Sequence, residues 1–174
     1  LWIDQGRTLM NFRKLAVAIC TGSLAVAMLA GCAATPQNSL TDEQKANREY
    51  MSAVNQRMTT LASTLDSFND AVSREDVVTM KTQAANASKV LDELANVETP
   101  EAFTDVHTNY VDGAKNLEAA LNEYIELYSE IQSATEANPF DWSSYDQRVQ
   151  TIQSHYDEGV AALKAGDEAV SAME

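Results

Sequence analysis

Apolar residues recur at alternating steps of three and four along four stretches of the chain, a spacing that places them on one face of an α-helix. The first two stripes are Met51, Val54, Met58, Leu61, Leu65, Phe68 and Val72, and then Val77, Met80, Ala84, Ala87, Leu91 and Leu94. The third stripe is Phe103, His107, Tyr110, Ala114, Leu117, Leu121, Tyr124, Tyr128 and Ile131. The fourth is Tyr145, Val149, Ile152, Tyr156, Gly159, Leu163, Gly166, Val170 and Met173. Each stripe predicts one amphipathic helix.

The first helix is predicted to begin at Thr41, because Thr41-Asp42-Glu43-Gln44 matches a capping box. A step of five from Val72 to Val77 then shifts the stripe out of phase, and Ser73-Arg74-Glu75-Asp76 can cap a new helix. We therefore predict a tight turn between two helices at this point. One continuous helix is the alternative.

Proline and capping residues mark the other connections. Thr99-Pro100 predicts an N-cap followed by Pro at the first position of the third helix, where its missing N–H costs nothing. Asn138-Pro139 predicts the end of that helix. Asp141 is placed to cap the fourth helix, with Phe140 and Tyr145 in the positions of a hydrophobic staple.

The pattern predicts an all-α fold, since no stretch from residue 32 onward alternates with the period of a strand. Four amphipathic helices with short connections favour an antiparallel four-helix bundle in up-down-up-down order, with three long helices and one shorter. The third helix is the most widely apolar, because Val106, Val111, Ile125 and Leu127 flank its stripe. A three-helix arrangement with the first two helices merged is the alternative.

Ahead of the helices, Leu29-Ala30-Gly31-Cys32 follows a basic pair, Arg13-Lys14, and an uncharged apolar stretch over residues 15–29. That stretch is short for a membrane span, which needs about 20 residues, and has the length of a signal-peptide core. The tetrapeptide resembles the lipobox of bacterial lipoproteins. The resemblance implies cleavage between Gly31 and Cys32 and a diacylglyceryl group on the Cys32 thiol, a lipid that anchors the chain in a membrane. A secretory signal with a chance cysteine and an uncleaved membrane helix are the alternatives.

The chain therefore divides into four predicted segments. These are an over-extended start ahead of Met10 (1–9), a lipoprotein signal peptide (10–31), a lipidated tether (32–40) and a helical domain (41–174). The expected location is the cell envelope, on the extracytoplasmic side of a bacterial membrane. By the same resemblance, a residue other than Asp at Ala33 points to the outer membrane in a two-membrane bacterium. In a one-membrane bacterium the anchor would lie in the outer leaflet.

The net charge of −14 limits the possible partners. Three of the twelve basic residues, Arg7, Arg13 and Lys14, precede Cys32, so the chain from Cys32 onward is strongly acidic. Such a charge repels phosphate backbones, which excludes nucleic acid as a partner and leaves an envelope protein, a cation or a basic peptide. Acidity that serves only solubility is the alternative. Of the two cysteines, Cys20 leaves with the signal and Cys32 is lipidated, so no disulfide is expected.

The residues that carry chemistry are few. The sequence has two histidines and lacks a Gly-rich phosphate loop and a nucleophile elbow, which predicts that the protein is not an enzyme. His107 lies on the third stripe, where a packed, hydrogen-bonded histidine is more common than a ligand. His155-Tyr156-Asp157-Glu158 places an imidazole and a carboxylate one helical turn apart. A metal site between helices needs such groups from several helices, so no metal is expected, and Met58, His155 and Glu158 are the candidates if one exists.

Met58-x-x-Leu61 followed by Leu65 and Phe68 resembles the first helix of the soluble periplasmic b-type four-helix cytochromes. The resemblance implies that Met58 and His155 would ligate a haem iron. The alternative is that Met58 is a core residue, as Met on an apolar stripe usually is. The leading expectation remains a non-enzymatic, membrane-anchored helical module for partner binding or an envelope structural role, without a cofactor beyond its lipid. A bundle that binds a small ligand, haem or a metal is the second.

Overall fold

A computed structural model of the chain describes residues 41–173, and these residues form four α-helices and no β-strand. The helices are α1 (Asp42–Ser73), α2 (Val77–Ala95), α3 (Thr104–Ser133) and α4 (Tyr145–Ser171). Short 3₁₀ turns, Glu101–Phe103 and Trp142–Ser144, lead into α3 and α4. The prediction of an all-helical, four-helix fold is confirmed. Within the same residues, no helix combines the length and the apolarity that crossing a membrane requires.

The predicted capping box opens α1. The Gln44 amide donates to Thr41 Oγ1 at 3.2 Å, and the Thr41 amide donates to Gln44 Oε1 at 3.1 Å. Two orphan N–H groups of the first turn are thereby satisfied by side chains, which fixes the start of the helix at Asp42.

A tight turn separates α1 from α2, so the alternative of one continuous helix is wrong. Glu75 adopts a positive φ of 59°, a left-handed conformation in which a right-handed α-helix cannot continue. Asp76 then caps α2 by accepting hydrogen bonds from the Thr79 amide at 3.0 Å and from its hydroxyl at 2.6 Å. The step of five in the apolar stripe therefore marks a real break.

The boundaries of α3 differ from the prediction. Pro100 is the N-cap of a 3₁₀ turn and not the first residue of the α-helix, which begins four residues later at Thr104. Thr99 donates its hydroxyl to the Val97 carbonyl instead of capping a helix. The helix ends at Ser133, ahead of Asn138-Pro139. Both prolines, Pro100 and Pro139, therefore lie outside α3, where the missing N–H of proline breaks no helical hydrogen bond.

The four stripes supply most of the buried core, and α3 contributes the largest share. Its flanking residues Val106 and Leu127 are buried as well as its stripe, with exposed fractions of 3% and 0%. Met58 is likewise 3% exposed. Met173, the last residue of the fourth stripe, lies beyond the end of α4 and is 48% exposed. The third helix was predicted to have the widest apolar face, and α3 is indeed buried on the flanks of its stripe as well as along it.

The backbones of α3 and α4 lie so close together that glycine is required on both helices. A Cβ atom at Gly159 would lie 2.8 Å from Leu117 Cγ, 3.0 Å from the Leu117 amide nitrogen and 3.1 Å from the Gly113 carbonyl oxygen. A Cβ atom at Gly113 would lie 2.8 Å from Leu163 and 2.9 Å from the Gly159 carbonyl oxygen. The two glycines therefore face each other, and their missing side chains permit the most extensive helix pairing of the fold.

This contact predicts that Gly159→Ala destabilises the protein although Ala is the better helix former. The substitution gains up to about 1 kcal/mol in helix propensity. Its methyl group would meet backbone atoms that cannot rotate away, and forced displacement of a packed core costs about 1–3 kcal/mol. We expect a net loss of up to about 2 kcal/mol in the free energy of unfolding, measured by urea denaturation.

Ala161→Gly provides the control, because Ala161 is exposed on the same helix and reports helix propensity alone. It should lose about 1 kcal/mol. If Gly159→Ala instead raised the free energy of unfolding by as much as Ala161→Gly lowers it, α3 and α4 would separate easily, contrary to the expected result.

Candidate functional site

The strongest site prediction, lipidation at Cys32 after cleavage at Gly31, lies outside the described residues. The structure describes the chain from Thr41, where the predicted tether meets the first helix. The polar groups that can be located are therefore those of the helical domain.

His107 is a packed residue with two hydrogen-bond partners, as its place on the stripe suggests. Its Nε2 lies 3.3 Å from the Ala95 carbonyl oxygen, which can only accept, so Nε2 carries the hydrogen. Its Nδ1 then accepts from the Tyr50 hydroxyl at 3.2 Å. Burial raises the pKa of Tyr50 to about 12. His107 thus links α1 to the last carbonyl of α2, and both of its ring nitrogens are engaged in this structural role.

A buried tyrosine and a carboxylate form the next polar pair, between α3 and α4. The Tyr110 hydroxyl donates to Asp167 Oδ1 at 2.7 Å. A Cβ atom at Gly166 would lie 2.8 Å from the Tyr110 ring, so this glycine makes room for the ring beside α4. Burial raises the pKa of Asp167, and the hydrogen bond from Tyr110 offsets only part of that rise. Burial and the Asp167 carboxylate also raise the pKa of Tyr110.

The candidate ligands Met58, His155 and Glu158 occupy different surroundings. Met58 is buried in the core, whereas Glu158 is exposed and accepts a hydrogen bond from Ser154 at 2.9 Å. His155 lies at the edge of the α3–α4 contact. Residues 41–173 contain no group of three His, Cys, Asp or Glu side chains that could hold a metal ion.

The partners of His155 come from α3. Its Nδ1 lies 3.3 Å from Asn116 Oδ1, and its Nε2 lies 3.6 Å from Glu123 Oε1. His155 and Glu158 are one helical turn apart along α4, but the side chain of His155 contacts residues of the adjacent helix and Glu158 is not among these partners.

An ion pair joins the end of α3 to the beginning of α4. Arg148 donates to both carboxylate oxygens of Glu130, at 2.5 Å and 3.2 Å, in the bidentate geometry that suits a guanidinium. The hydrogen bond from Arg148 lowers the pKa of Glu130. The pair fixes the connection between the two helices.

The connection between α3 and α4 carries a cluster of three aromatic side chains, Phe140, Trp142 and Tyr145, which we call the aromatic tip. The Phe140 and Trp142 ring centroids lie 4.9 Å apart in an edge-to-face arrangement, and those of Trp142 and Tyr145 lie 5.7 Å apart. Asp141 shapes the connection by accepting from the Ser143 amide at 2.9 Å. Asp141 was predicted to cap the fourth helix, but it is the N-cap of the 3₁₀ turn Trp142–Ser144, and Ser144 is the N-cap of α4. Sequence analysis missed Trp142, which belongs to no helical stripe.

An open groove of about 580 Å³ lies between α2 and α3. The small side chains of Ala84, Ala85 and Ser88 form its floor, with Ile125 and two lysines, Lys81 and Lys89, along its sides. Small residues on α2 leave this space because they do not fill the gap beside α3. Both lysines are exposed.

Comparison of the chain with known protein families, curated proteins and solved structures gives no match. The functional assignment therefore depends on the residues themselves.

The partly buried Asp167 carboxyl predicts a specific dependence of stability on pH. A carboxyl whose pKa is higher in the folded than in the unfolded chain stabilises the fold fully below the unfolded pKa, near 3.9. That contribution is lost as the pH rises through the folded pKa. Asp167→Asn keeps an acceptor for Tyr110 and removes the charge, so the stability of the variant relative to wild type should increase from pH 4 to pH 7. Urea denaturation at several pH values measures this difference.

Tyr110→Phe is the companion variant. It removes the hydrogen bond that lowers the pKa of Asp167, so the effect of Asp167→Asn on stability should grow in its presence. Loss of the tyrosine hydroxyl alone should cost about 1.5–3 kcal/mol at pH 7, the range for hydrogen bonds to charged groups. A stability difference between wild type and Asp167→Asn that does not vary with pH would contradict the assignment.

Proposed function

We propose that this protein is a lipid-anchored module of the bacterial cell envelope, held on the extracytoplasmic side of a membrane, that binds a partner or has a structural role and catalyses no reaction. The observation that carries the proposal is the order basic pair, apolar stretch and Leu29-Ala30-Gly31-Cys32 ahead of a helical domain. Cleavage before Cys32 and acylation of its thiol would join the domain to the membrane through residues 32–40.

We further propose that the four helices run up-down-up-down as an antiparallel bundle. Support comes from contacts between residues that lie far apart in sequence. Arg57 of α1 donates to the Glu93 carbonyl of α2, and His107 near the beginning of α3 contacts the end of α2 at Ala95. Tyr110 near the beginning of α3 bonds Asp167 near the end of α4. In this order the aromatic tip lies at the end of the domain opposite Thr41.

We propose that the protein is not an enzyme because its histidines and Asp167 are engaged in contacts between helices. Both histidines and the partly buried Asp167 have partners on neighbouring helices. These contacts fix the positions of helices relative to one another. A general base or nucleophile would instead need to face a space that a substrate can enter.

The charge of the domain supports a protein or cationic partner rather than a nucleic acid. Residues with carboxylates greatly outnumber those with amines or guanidinium groups after Cys32, so phosphate backbones and anionic headgroups are repelled. The same repulsion would keep the domain raised above an anionic membrane surface on its tether.

The anchor can be tested by feeding a labelled fatty acid to bacteria that express the full chain. Label should enter the wild-type protein and be absent from Cys32→Ala, because only that thiol is expected to carry the lipid. Cys32→Ala should also leave the membrane fraction. Labelling is measured on the immunoprecipitated protein.

Cys20→Ala is the matched control, since Cys20 is the other cysteine of the chain and lies within the predicted signal. It should retain the label. Equal labelling of Cys32→Ala and wild type, or a Cys32→Ala protein that stays with the membrane, would refute the anchor.

A further inference from the structure

Trp142 is half exposed although it belongs to a cluster of aromatic rings. Its exposed fraction is 50%, whereas Phe140 and Tyr145 are partly buried and pack against the core. The two neighbours therefore form a base that holds the indole in place, while half of its surface faces solvent. A large aromatic side chain held rigidly at a surface is a common anchor for a partner, because little conformational entropy is lost when it is covered.

The surroundings of the indole are acidic. The α3–α4 connection and the first two residues of α4, residues 134–146, contain Glu136, Asp141 and Asp146 and no Lys or Arg. The nearest basic residue along the chain, Arg148, is already paired with Glu130. Burial and the Asp146 carboxylate raise the pKa of Tyr145, which places that charge beside the aromatic tip.

We propose that the aromatic tip is a docking surface for a Lys- or Arg-bearing segment of a partner polypeptide. A guanidinium or ammonium group would lie over the exposed face of Trp142, where the ring quadrupole attracts a cation. The Glu136 and Asp146 carboxylates would neutralise the neighbouring charges of the same segment. This inference rests on the proposed partner-binding role and gives the partner a chemical class.

The position of the tip fits such contacts. In the proposed up-down-up-down order, α3 separates the tip from the beginning of the domain by its 30 residues, or about 45 Å of helix. The tip would therefore be presented away from the membrane that holds the tether. Repulsion between the acidic domains of two copies disfavours a second molecule of this chain as the occupant.

The test is a calorimetric titration of the purified, full-length protein in detergent with a synthetic peptide of four Arg-Gly repeats. Wild type should bind the peptide, with affinity that decreases as salt is added. Trp142→Ala should raise Kd about 2- to 30-fold, the range expected for loss of one cation–π contact, and Trp142→Phe should lie between the two. Circular dichroism verifies that each variant keeps the helical content of wild type.

A matched pair of double variants separates the local site from the overall charge. Glu136→Gln/Asp146→Asn removes one charge from the α3–α4 connection and one from the first turn of α4. Glu98→Gln/Asp105→Asn removes the same charges from the α2–α3 connection and the first turn of α3, and all four residues are exposed. The first pair should weaken binding and reduce its dependence on salt, and the second should leave Kd within about two-fold because its charges are screened from the tip.

Three results would overturn the proposal. One is the absence of binding to wild type at millimolar peptide, and another is an unchanged Kd for Trp142→Ala. The third is equal weakening by both double variants, which would mean that the peptide responds to net charge alone. Because fatty-acid labelling of Cys32 is measured independently, any of these outcomes would reject the docking surface and leave the membrane anchor standing.

Discussion

Close contact between the backbones of α3 and α4 determines the arrangement of the side chains around it. Gly113 and Gly159 face each other with no room for a methyl group, and Leu117 and Leu163 pack directly over them. At this separation, van der Waals contact extends along the backbones as well as the side chains. The apolar residues on the other sides of α3 remain available for α1 and α2, which explains why so wide a face of this helix is buried.

Polar pairs lie along the same helix pairing and limit how it can slide. Tyr110 bonds Asp167 toward one end of α3, and Glu130 bonds Arg148 at the other. His155 contacts α3 between them. Apolar packing between two helices tolerates small shifts in register, whereas hydrogen bonds at both ends do not. The ionised Asp167 carboxyl disfavours the folded state through its burial, so this specificity has a cost in stability at neutral pH.

The helices themselves were predictable from sequence because each has to bury an apolar face, and burial leaves a period in the residue pattern. The capping box at Thr41 and the break after Val72 were also readable, since both depend on neighbours in the chain. The exact beginning of α3 was not, because a proline after Thr99 is compatible with an α-helix and with a 3₁₀ turn. Local sequence does not distinguish the two.

Features that depend on contacts between helices escaped sequence analysis. The packing role of Gly113 was not evident, because its partner on α4 cannot be found from spacing along one helix. The contacts of His155 with Asn116 and Glu123 on α3 were not evident for the same reason. Trp142 was missed because a residue outside every stripe carries no periodic signal, and its exposure is visible only when the packing of Phe140 and Tyr145 is known. The resemblance of Leu29-Ala30-Gly31-Cys32 to a lipobox, by contrast, rests on neighbouring residues and does not require a folded structure to be noticed.

The distribution of aromatic residues has an optical consequence. The core holds the rings of tyrosines such as Tyr50, Tyr110 and Tyr124 and of Phe68 and Phe103, while Trp142 is the one tryptophan among the residues that the structure describes. Its indole already meets solvent in the native state. Ultraviolet emission from Trp142 would therefore follow events at the α3–α4 connection and remain nearly silent while the interior melts, whereas near-ultraviolet dichroism of the tyrosines would follow the interior itself.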